Sequence, residues 1–273
     1  MTASKRLAGR TAIVVGSSRG IGFSVAQNFA AEGANVALLA KTGKSDSRRQ
    51  GTIFDAADRI AASGGIALPL MADIRDEGSV ARAVDATVSE FGGIDIVVNN
   101  ASAIDLTDTA SIPISRFDLM HHVNVRGTFV MTQACLPHLV KSDAAHVIVM
   151  APPLSRMERI FLSHVPYSLT KFGMSLCVLG WHHEFGKHGI CVNALWPRTL
   201  IATAALRMLS SEDLSRHARK PEIVAAAALE IVLDSTRPSG HFLIDEDVLR
   251  ARGVTDFEQY AVDPLSDPIV DYT

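Results

Sequence analysis

The sequence has few cysteines, few aromatic residues and little excess charge. Its three cysteines, Cys135, Cys177 and Cys191, lie in apolar surroundings without framework spacing. That excludes a disulfide scaffold and reads as reduced core thiols in a reducing compartment. A formal net charge of −3 over 273 residues gives no electrostatic reason to expect nucleic acid or an anionic membrane as partner. No stretch approaches the roughly 18 uncharged apolar residues of a membrane span. The first ten residues hold no apolar run of the signal-peptide kind, and Asp271-Tyr-Thr273 is not the Ser-Lys-Leu peroxisomal address. A cytoplasmic protein with no membrane span is expected. No metal is expected either, because no Cys/His/Asp set has metal-ligand spacing. The neighbours in His121-His122 and His182-His183 would point about 100° apart on a helix. No Gly-x-Ser-x-Gly elbow supports serine hydrolysis.

What the sequence does hold is alternation. Short apolar runs at 12–15, 35–40, 66–71, 94–98, 146–150, 190–195 and 241–244 alternate with helical patterns at 21–31, 52–62, 77–91, 115–140, 167–185 and 221–233. Most runs are apolar at every position, the mark of strands buried on both faces. Glycines stand where helices should stop, at Gly33, Gly64-Gly65, Gly92-Gly93 and Gly186. The order predicts an α/β fold, a single Rossmann-type doubly wound parallel sheet of about seven strands with helices on both faces. With no repeat and no linker, residues 1–273 read as one nucleotide-binding domain. Residues 42–50 read as an exposed basic loop. Residues 245–273, with Phe257, Tyr260 and Pro264, form a tail that packs on the body or on a neighbouring subunit, or stays disordered.

Two features carry chemistry. Gly16-Ser-Ser-Arg-Gly20-Ile-Gly22 lies between the first strand and the first helix. Glycines there let the backbone approach a pyrophosphate, and the helix N-terminus adds free N–H groups and a positive dipole end. Tyr167 and Lys171 stand four apart, on one face of a helix. A Lys ammonium one turn from a phenol favours the phenolate, which makes a usable proton shuttle of a group whose ordinary pKa is about 10.

Together with Asn99-Asn-Ala-Ser102, Asn124 and Pro197, these motifs resemble the short-chain dehydrogenase/reductase family, in that family's order and over most of the chain. Ala40-Lys-Thr42, Gly51-Thr-Ile53, Pro152-Pro-Leu154, Asn193-Ala-Leu-Trp-Pro197 and Ile244-Asp-Glu246 are similar to its hydroxysteroid dehydrogenase-like protein 2 group. Some members of that group carry an added C-terminal lipid-carrier domain, for which these 273 residues have no room.

The resemblance implies a nicotinamide cofactor held by Gly16, Ser18, Arg19, Gly20, Ile21 and Gly22. Lys41, Asp73, Ile74, Asn100, Ala101, Ser102, Pro197 and Thr199 join them, as do Tyr167 and Lys171. Asp73 would meet the adenine amine, Asn99 would line the adenosine side, and Pro197 with the residues after it would meet the carboxamide. The second strand ends Leu38-Leu39-Ala40-Lys41 without the acid that binds a ribose 2′-OH. Lys41 and Arg19 offer cations instead, and NADP(H) is expected over NAD(H). The resemblance assigns Tyr167 as general acid/base, Lys171 as holder of the nicotinamide ribose, and Asn124 as holder of a water that relays protons.

The sequence departs from the family at the serine that normally grips the substrate oxygen. Thirteen residues before Tyr167 stands Leu154, and alignment by strand end gives Pro152. Neither side chain donates a hydrogen bond. Ser155 is the nearest hydroxyl and Ser163 a second candidate. Arg198 stands where the family usually has Gly.

Ile160, Phe161, Leu162, Leu200, Ile201, Leu206, Met208 and Leu209 form an apolar mouth for a small hydrophobic, lipid-like alcohol or carbonyl, or else a lid packed on the core. Arg156 and Arg159 attract a carboxylate or a coenzyme A phosphate, or are simply solvated. The expected function is an NADP(H)-dependent oxidoreductase. The alternative is an NADP(H)-binding scaffold or sensor with little turnover. By family habit the helices at 115–140 and 167–185 pair subunits into a homodimer or homotetramer, to which Val130, Cys177 and Trp181 would contribute.

Overall fold

Seven parallel strands form one sheet in the order β3-β2-β1-β4-β5-β6-β7. They are β1 (Thr11–Val15), β2 (Asn35–Ala40), β3 (Ile66–Met71), β4 (Ile96–Asn99), β5 (His146–Met150), β6 (Cys191–Trp196) and β7 (Phe242–Ile244). The computed structural model describes residues 5–41, 43, 51–156, 164–209 and 214–270. The helices are α1 (Gly20–Ala31), α2 (Ile53–Ala62), α3 (Glu77–Phe91), α4 (Ile114–Met120), α5 (Gly127–Leu139), α6 (Val165–Gly186), α7 (Ala204–Leu209), α8 (Glu222–Leu233) and α9 (Asp245–Ala251).

Every residue of β1, β4 and β5 is buried, because helices cover both faces of the sheet. Ala12 and Val14 pack on the side of α1, α2 and α8. Ile13 and Val15 pack on the side of α3, α5 and α6. Burial on both faces does not extend to the edge. In β3, Ile66 and Met71 are 57% and 61% exposed. Pro69 sits in that strand opposite Leu38, at an edge where its missing N–H costs no ladder bond.

The chain leaves β1 for β2 on one side and reaches β4 on the other. The crevice at the C-terminal ends of β1 and β4 is therefore the topological switch point, where ligands of such sheets bind.

The helix expected at 115–140 is not continuous. A π turn, His121–Arg126, separates α4 from α5. The C-terminal residues pack on this chain's own body. Phe257 is buried in the α1/α8 core cluster. Val270 bridges Thr199, Leu200 N–H donates to Ile269 O at 2.9 Å, and Val262 N–H donates to Ala218 O at 3.1 Å.

Candidate active site

The glycine turn is fixed by main-chain contacts. Gly16 N–H donates to Leu39 O at 2.7 Å. Asn100 Nδ2 donates to Val15 O and Gly16 O, both at 3.1 Å. A Cβ on Gly16 would stand 2.8 Å from Ala101 Cα, and one on Gly22 would stand 2.5 Å from Gly16 O. Gly16 and Gly20 also have φ of +75° and +59°, in the left-handed region that favours glycine. Helix α1 begins here with no side-chain cap and no acidic residue in its first turn. Its first-turn N–H groups and positive dipole end would therefore suit an anion. Ser18 and Arg19 are half-buried in the turn, and Ile21 packs against the core.

Two residues here were not singled out from the sequence. Ser17 is fully buried, and its Oγ has no partner among the described residues. Thr203 Cγ2 lies 3.3 Å from where a Gly20 Cβ would be. Ser17 stood within the glycine motif. Thr203 had no local signal, because only folding brings it to Gly20.

The rim after β2 and β3 is partly occupied by its own charges. Lys41 is exposed at the end of β2. Asp73 accepts from Arg75 Nε at 2.9 Å and from Arg75 Nη2 at 2.5 Å. That hydrogen-bonded guanidinium holds the Asp73 carboxyl down at about 2, with a smaller contribution from Lys41. Ile74 is buried against Gly127. After β4 the two asparagines divide. Asn99 is buried and donates to Thr132 Oγ1 at 2.9 Å, so its amide nitrogen is directed to α5. Asn100 locks the glycine turn, Ala101 backs Gly16, and Ser102 is exposed.

Helix α6 carries the proton-transfer candidates. It starts with Pro166 in its first turn, where the missing N–H is harmless. Tyr167 follows half-buried, and Lys171 is 3% exposed one turn on. Lys171 Nζ donates to Met150 O at 2.5 Å and lies 5.2 Å from the Trp196 ring centre. These contacts hold the ammonium at the C-terminal ends of β5 and β6.

Asn124 lies fully buried in the π turn, a helix irregularity common at functional sites. Its Oδ1 accepts from Ala103 N–H at 2.7 Å, and its Nδ2 donates to Ala103 O at 2.9 Å and to Thr170 Oγ1 at 2.8 Å. Thr170 Oγ1 in turn donates to Tyr167 O at 2.7 Å. Asn124 thus ties the loop after β4 to the turn of α6 that bears the tyrosine. Both of its amide hydrogens are used in doing so.

At the end of β5, Ala151, Pro152 and Pro153 are buried, and Ser175 Oγ donates to Pro152 O at 2.8 Å. Ser155 is exposed in a 3₁₀ turn, Leu154–Arg156. Ser163, Arg159, Ile160, Phe161 and Leu162 lie outside the described residues, as do the side chains of Arg156 and Leu209.

The loop after β6 is gripped by charge. Pro197 is buried, and Thr199 is 2% exposed with its Oγ1 unpartnered among the described residues. Arg198 N–H donates to Asp245 Oδ1 at 2.9 Å, and its guanidinium pairs with Glu246 at 3.3 Å and with Asp247. Glu246, 4% exposed, also pairs with Arg219 at 3.0 Å and Arg250 at 3.4 Å. Burial pushes the Asp245 carboxyl up to about 6. In the apolar mouth, Met208 is 61% exposed while Ile201 packs into the core.

The buried unpartnered Ser17 and Thr199 hydroxyls, the open end of α1 and the glycine cradle fit a dinucleotide. The three cysteines are free. Burial raises the Cys135 thiol strongly and the Cys177 thiol to about 11. No described helix is long and apolar enough to cross a membrane.

Comparison with known proteins points the same way. The short chain dehydrogenase family model matches residues 10–213. Hydroxysteroid dehydrogenase-like protein 2 of Danio rerio is 47% identical over 259 residues, covering 95% of this chain and 62% of that protein. The chain therefore spans less than two thirds of the length of that relative. The crystal structure of a putative dehydrogenase from Xanthomonas campestris superposes with a TM-score of 0.93 at 48% identity, covering 97% of each chain. A short chain dehydrogenase from Burkholderia cenocepacia J2315, in complex with NADP, matches with a TM-score of 0.73 at 28% identity over 88% of this chain and 97% of its own.

Proposed function

The chain belongs to the short-chain dehydrogenase family, whose members use nicotinamide cofactors, and from that premise we propose an NADP(H)-dependent oxidoreductase interconverting a hydrophobic, lipid-like alcohol and its carbonyl. The observation that carries this reading is the joint between α6 and the switch point. Tyr167 and Lys171 share a helix face, Lys171 is anchored on Met150 O, and the Asn124 clamp runs through Thr170 to the Tyr167 carbonyl.

The nicotinamide supplies or accepts the hydride when bound. The glycine turn and the first turn of α1 hold its pyrophosphate, with Ser18, Arg19, Gly20 and Ile21 presenting main-chain N–H groups. Ser17 and Thr199 offer hydroxyls. Asn100, Ala101 and Ser102 flank the adenosine side, with Asp73 and Ile74 beyond, and Pro197 backs the nicotinamide. Lys41 and Arg19 favour a 2′-phosphate. Tyr167 gives its phenolic proton to the carbonyl oxygen in reduction and takes the hydroxyl proton in oxidation. Lys171 supplies a buried cation that favours the phenolate, and Asn124 keeps the tyrosine turn in register while a water returns the proton. Ser155, the nearest hydroxyl, serves as the second donor to the substrate oxygen. The exposed faces of α5 and α6, with Phe129, Leu169, Leu176 and Leu179, pair subunits into a homodimer or homotetramer. The free, raised thiols suit a reducing compartment such as the cytoplasm.

One observation favours a second reading, a nucleotide-binding scaffold or sensor with little turnover. Pro152, just past the end of β5, and Leu154, thirteen residues before Tyr167, are the two positions where the family serine would stand, and neither side chain offers a donor. NADPH oxidation against ketones, aldehydes and acyl-chain carbonyls separates the two. Tyr167→Phe should lower kcat by about 10²–10⁴, the range for a general acid, and leave NADPH affinity unchanged. Tight NADPH binding without Tyr167-dependent turnover on any carbonyl sinks the enzyme reading. Tighter binding of NADH than NADPH sinks the cofactor preference.

A further inference from the structure

The loop after β4 is held at successive points by different elements. Asn124 of the π turn clamps Ala103. Asp105 accepts from Arg116 Nε of α4 at 2.9 Å and from Thr107 Oγ1 at 2.6 Å. Leu106 O meets His164 Nδ1 at 2.6 Å. The segment is a preorganised wall, and it leaves the sheet at the C-terminal end of β4, beside the switch point.

His164 joins that wall to the helix that carries the proton-transfer pair. It is the N-cap residue of α6, and Ser168 N–H donates to its carbonyl at 2.9 Å, so it stands in register with the helix. His164, Tyr167 and Lys171 then follow at spacings of three and four, along one stripe. The His164 side chain makes no capping bond to α6. A carbonyl oxygen only accepts, so Nδ1 carries a proton and donates to Leu106 O. In the neutral ring that leaves a lone pair on Nε2. Nε2 has no partner among the described residues. Nor is it sealed from solvent, as the Nε2 atoms of His121 and His146 are. The imidazole is fixed at one nitrogen and open at the other, one helical turn from the tyrosine.

An open acceptor is what the rest of the group does not supply. Lys171 only donates, Tyr167 exchanges its proton with the reacting oxygen, and Asn124 is turned to Ala103 and Thr170. A carbonyl oxygen becoming an alkoxide calls for donors. An acceptor in the same wall serves a different atom of the substrate. Resting on the oxidoreductase reading, we infer that His164 contacts the substrate directly, its Nε2 accepting a hydrogen bond from a second O–H or N–H group beside the reacting carbon. The substrate class narrows from a plain lipid-like alcohol or carbonyl to one that carries a further hydrogen-bond donor.

The test reads binding without turnover. Octan-2-ol, octane-1,2-diol and octane-2,4-diol are titrated into the full chain saturated with NADPH, which cannot accept a hydride from an alcohol. At least one diol should bind about tenfold or more tightly than octan-2-ol. His164→Asn removes Nε2 while keeping a short amide at a position that suits an N-cap. His164→Phe keeps a ring and removes both nitrogens. In each variant the diol preference should fall to within about twofold of unity, with the melting temperature checked against the unsubstituted protein. The inference is overturned if the unsubstituted protein shows no diol preference, if none of the three alcohols binds, or if the preference survives in both variants. The oxidoreductase reading fails by a different measurement, the absence of Tyr167-dependent turnover. A His164-dependent diol preference without such turnover would uphold the contact and make it the ligand contact of a binding protein.

Discussion

The glycine turn and the loop after β6 meet where Thr203 approaches Gly20, and they are held in place by different physics. The turn is held by shape. Its fixed points are main-chain bonds from Gly16 to Leu39 and from Asn100 to Val15 and Gly16, and there is no room for a Cβ on Gly16 or Gly22. The loop is held by charge. Arg198 leaves its buried neighbours Pro197 and Thr199 to reach Asp245, Glu246 and Asp247, and Arg219 and Arg250 share Glu246. The turn should therefore be broken by a single methyl group and the loop by a single missing charge.

The larger effect is expected in the loop. Glu246→Ala leaves Arg198 and the largely buried Arg219 without their shared carboxylate. Removing one partner of a buried ion pair typically costs about 3–5 kcal/mol, and a urea denaturation series measures it. Glu246→Gln keeps the shape but not the charge and should recover only a minor part. A loss under about 1 kcal/mol, the level of a surface pair, would mean that packing and not charge holds the loop.

The turn should respond less in stability and more in binding. Gly22→Ala gains about 1 kcal/mol of helix propensity within α1. That gain offsets part of an overpacking cost of about 1–3 kcal/mol, since the new methyl meets Gly16 O, a main-chain atom that does not rotate away. Dinucleotide affinity should nevertheless fall about tenfold or more if, as proposed, the displaced turn carries the N–H groups that bind the pyrophosphate. Calorimetric titration with NADPH checks this, and unchanged affinity would show that the cradle tolerates a Cβ.

The same contrast explains what the sequence disclosed. A site made from backbone demands glycine at fixed spacing, so Gly16, Gly20 and Gly22 are visible without coordinates. The Tyr167–Lys171 pair is visible because four residues make one helical turn. The strand runs are visible because burial on both faces leaves few polar residues, and they misled at the two sheet edges, β3 and β7, where the same apolar residues tolerate partial exposure. The loop after β6 depends on partners 47 to 49 residues away, and no periodicity reports such a contact. Arg198 therefore read only as a departure from glycine. The π turn around Asn124 was equally hidden, since the contacts of Asn124 to Ala103 and Thr170 span 21 and 46 residues.

The smallest expected effect is also the most specific to the loop. Asp245 accepts N–H bonds from Arg198 and Glu246, yet its Oδ2 is buried without a partner among the described residues. Burial raises its carboxyl from 3.8 to about 6. Between those values the folded chain binds more protons than the unfolded chain, so this group's contribution to stability is complete below about pH 4. It is lost as pH rises through about 6. Asp73 and Asp105, held at about 2 by hydrogen bonds from Arg75 and from Thr107 with Arg116, act the other way and lower down. Their contribution is present above about pH 4 and lost toward pH 2. The buried His146, whose protonation burial disfavours, also gains with rising pH, so the absolute profile is a mixture. The difference between the unsubstituted protein and Asp245→Asn cancels these shared terms. Asn keeps an oxygen for the two N–H donors and removes the titration. Relative to the unsubstituted protein, the variant should gain about 1–2 kcal/mol between pH 4 and pH 7, read as a shift in urea midpoint. A pH-independent difference would mean that Asp245 does not titrate in that window and that the loop tolerates its buried charge.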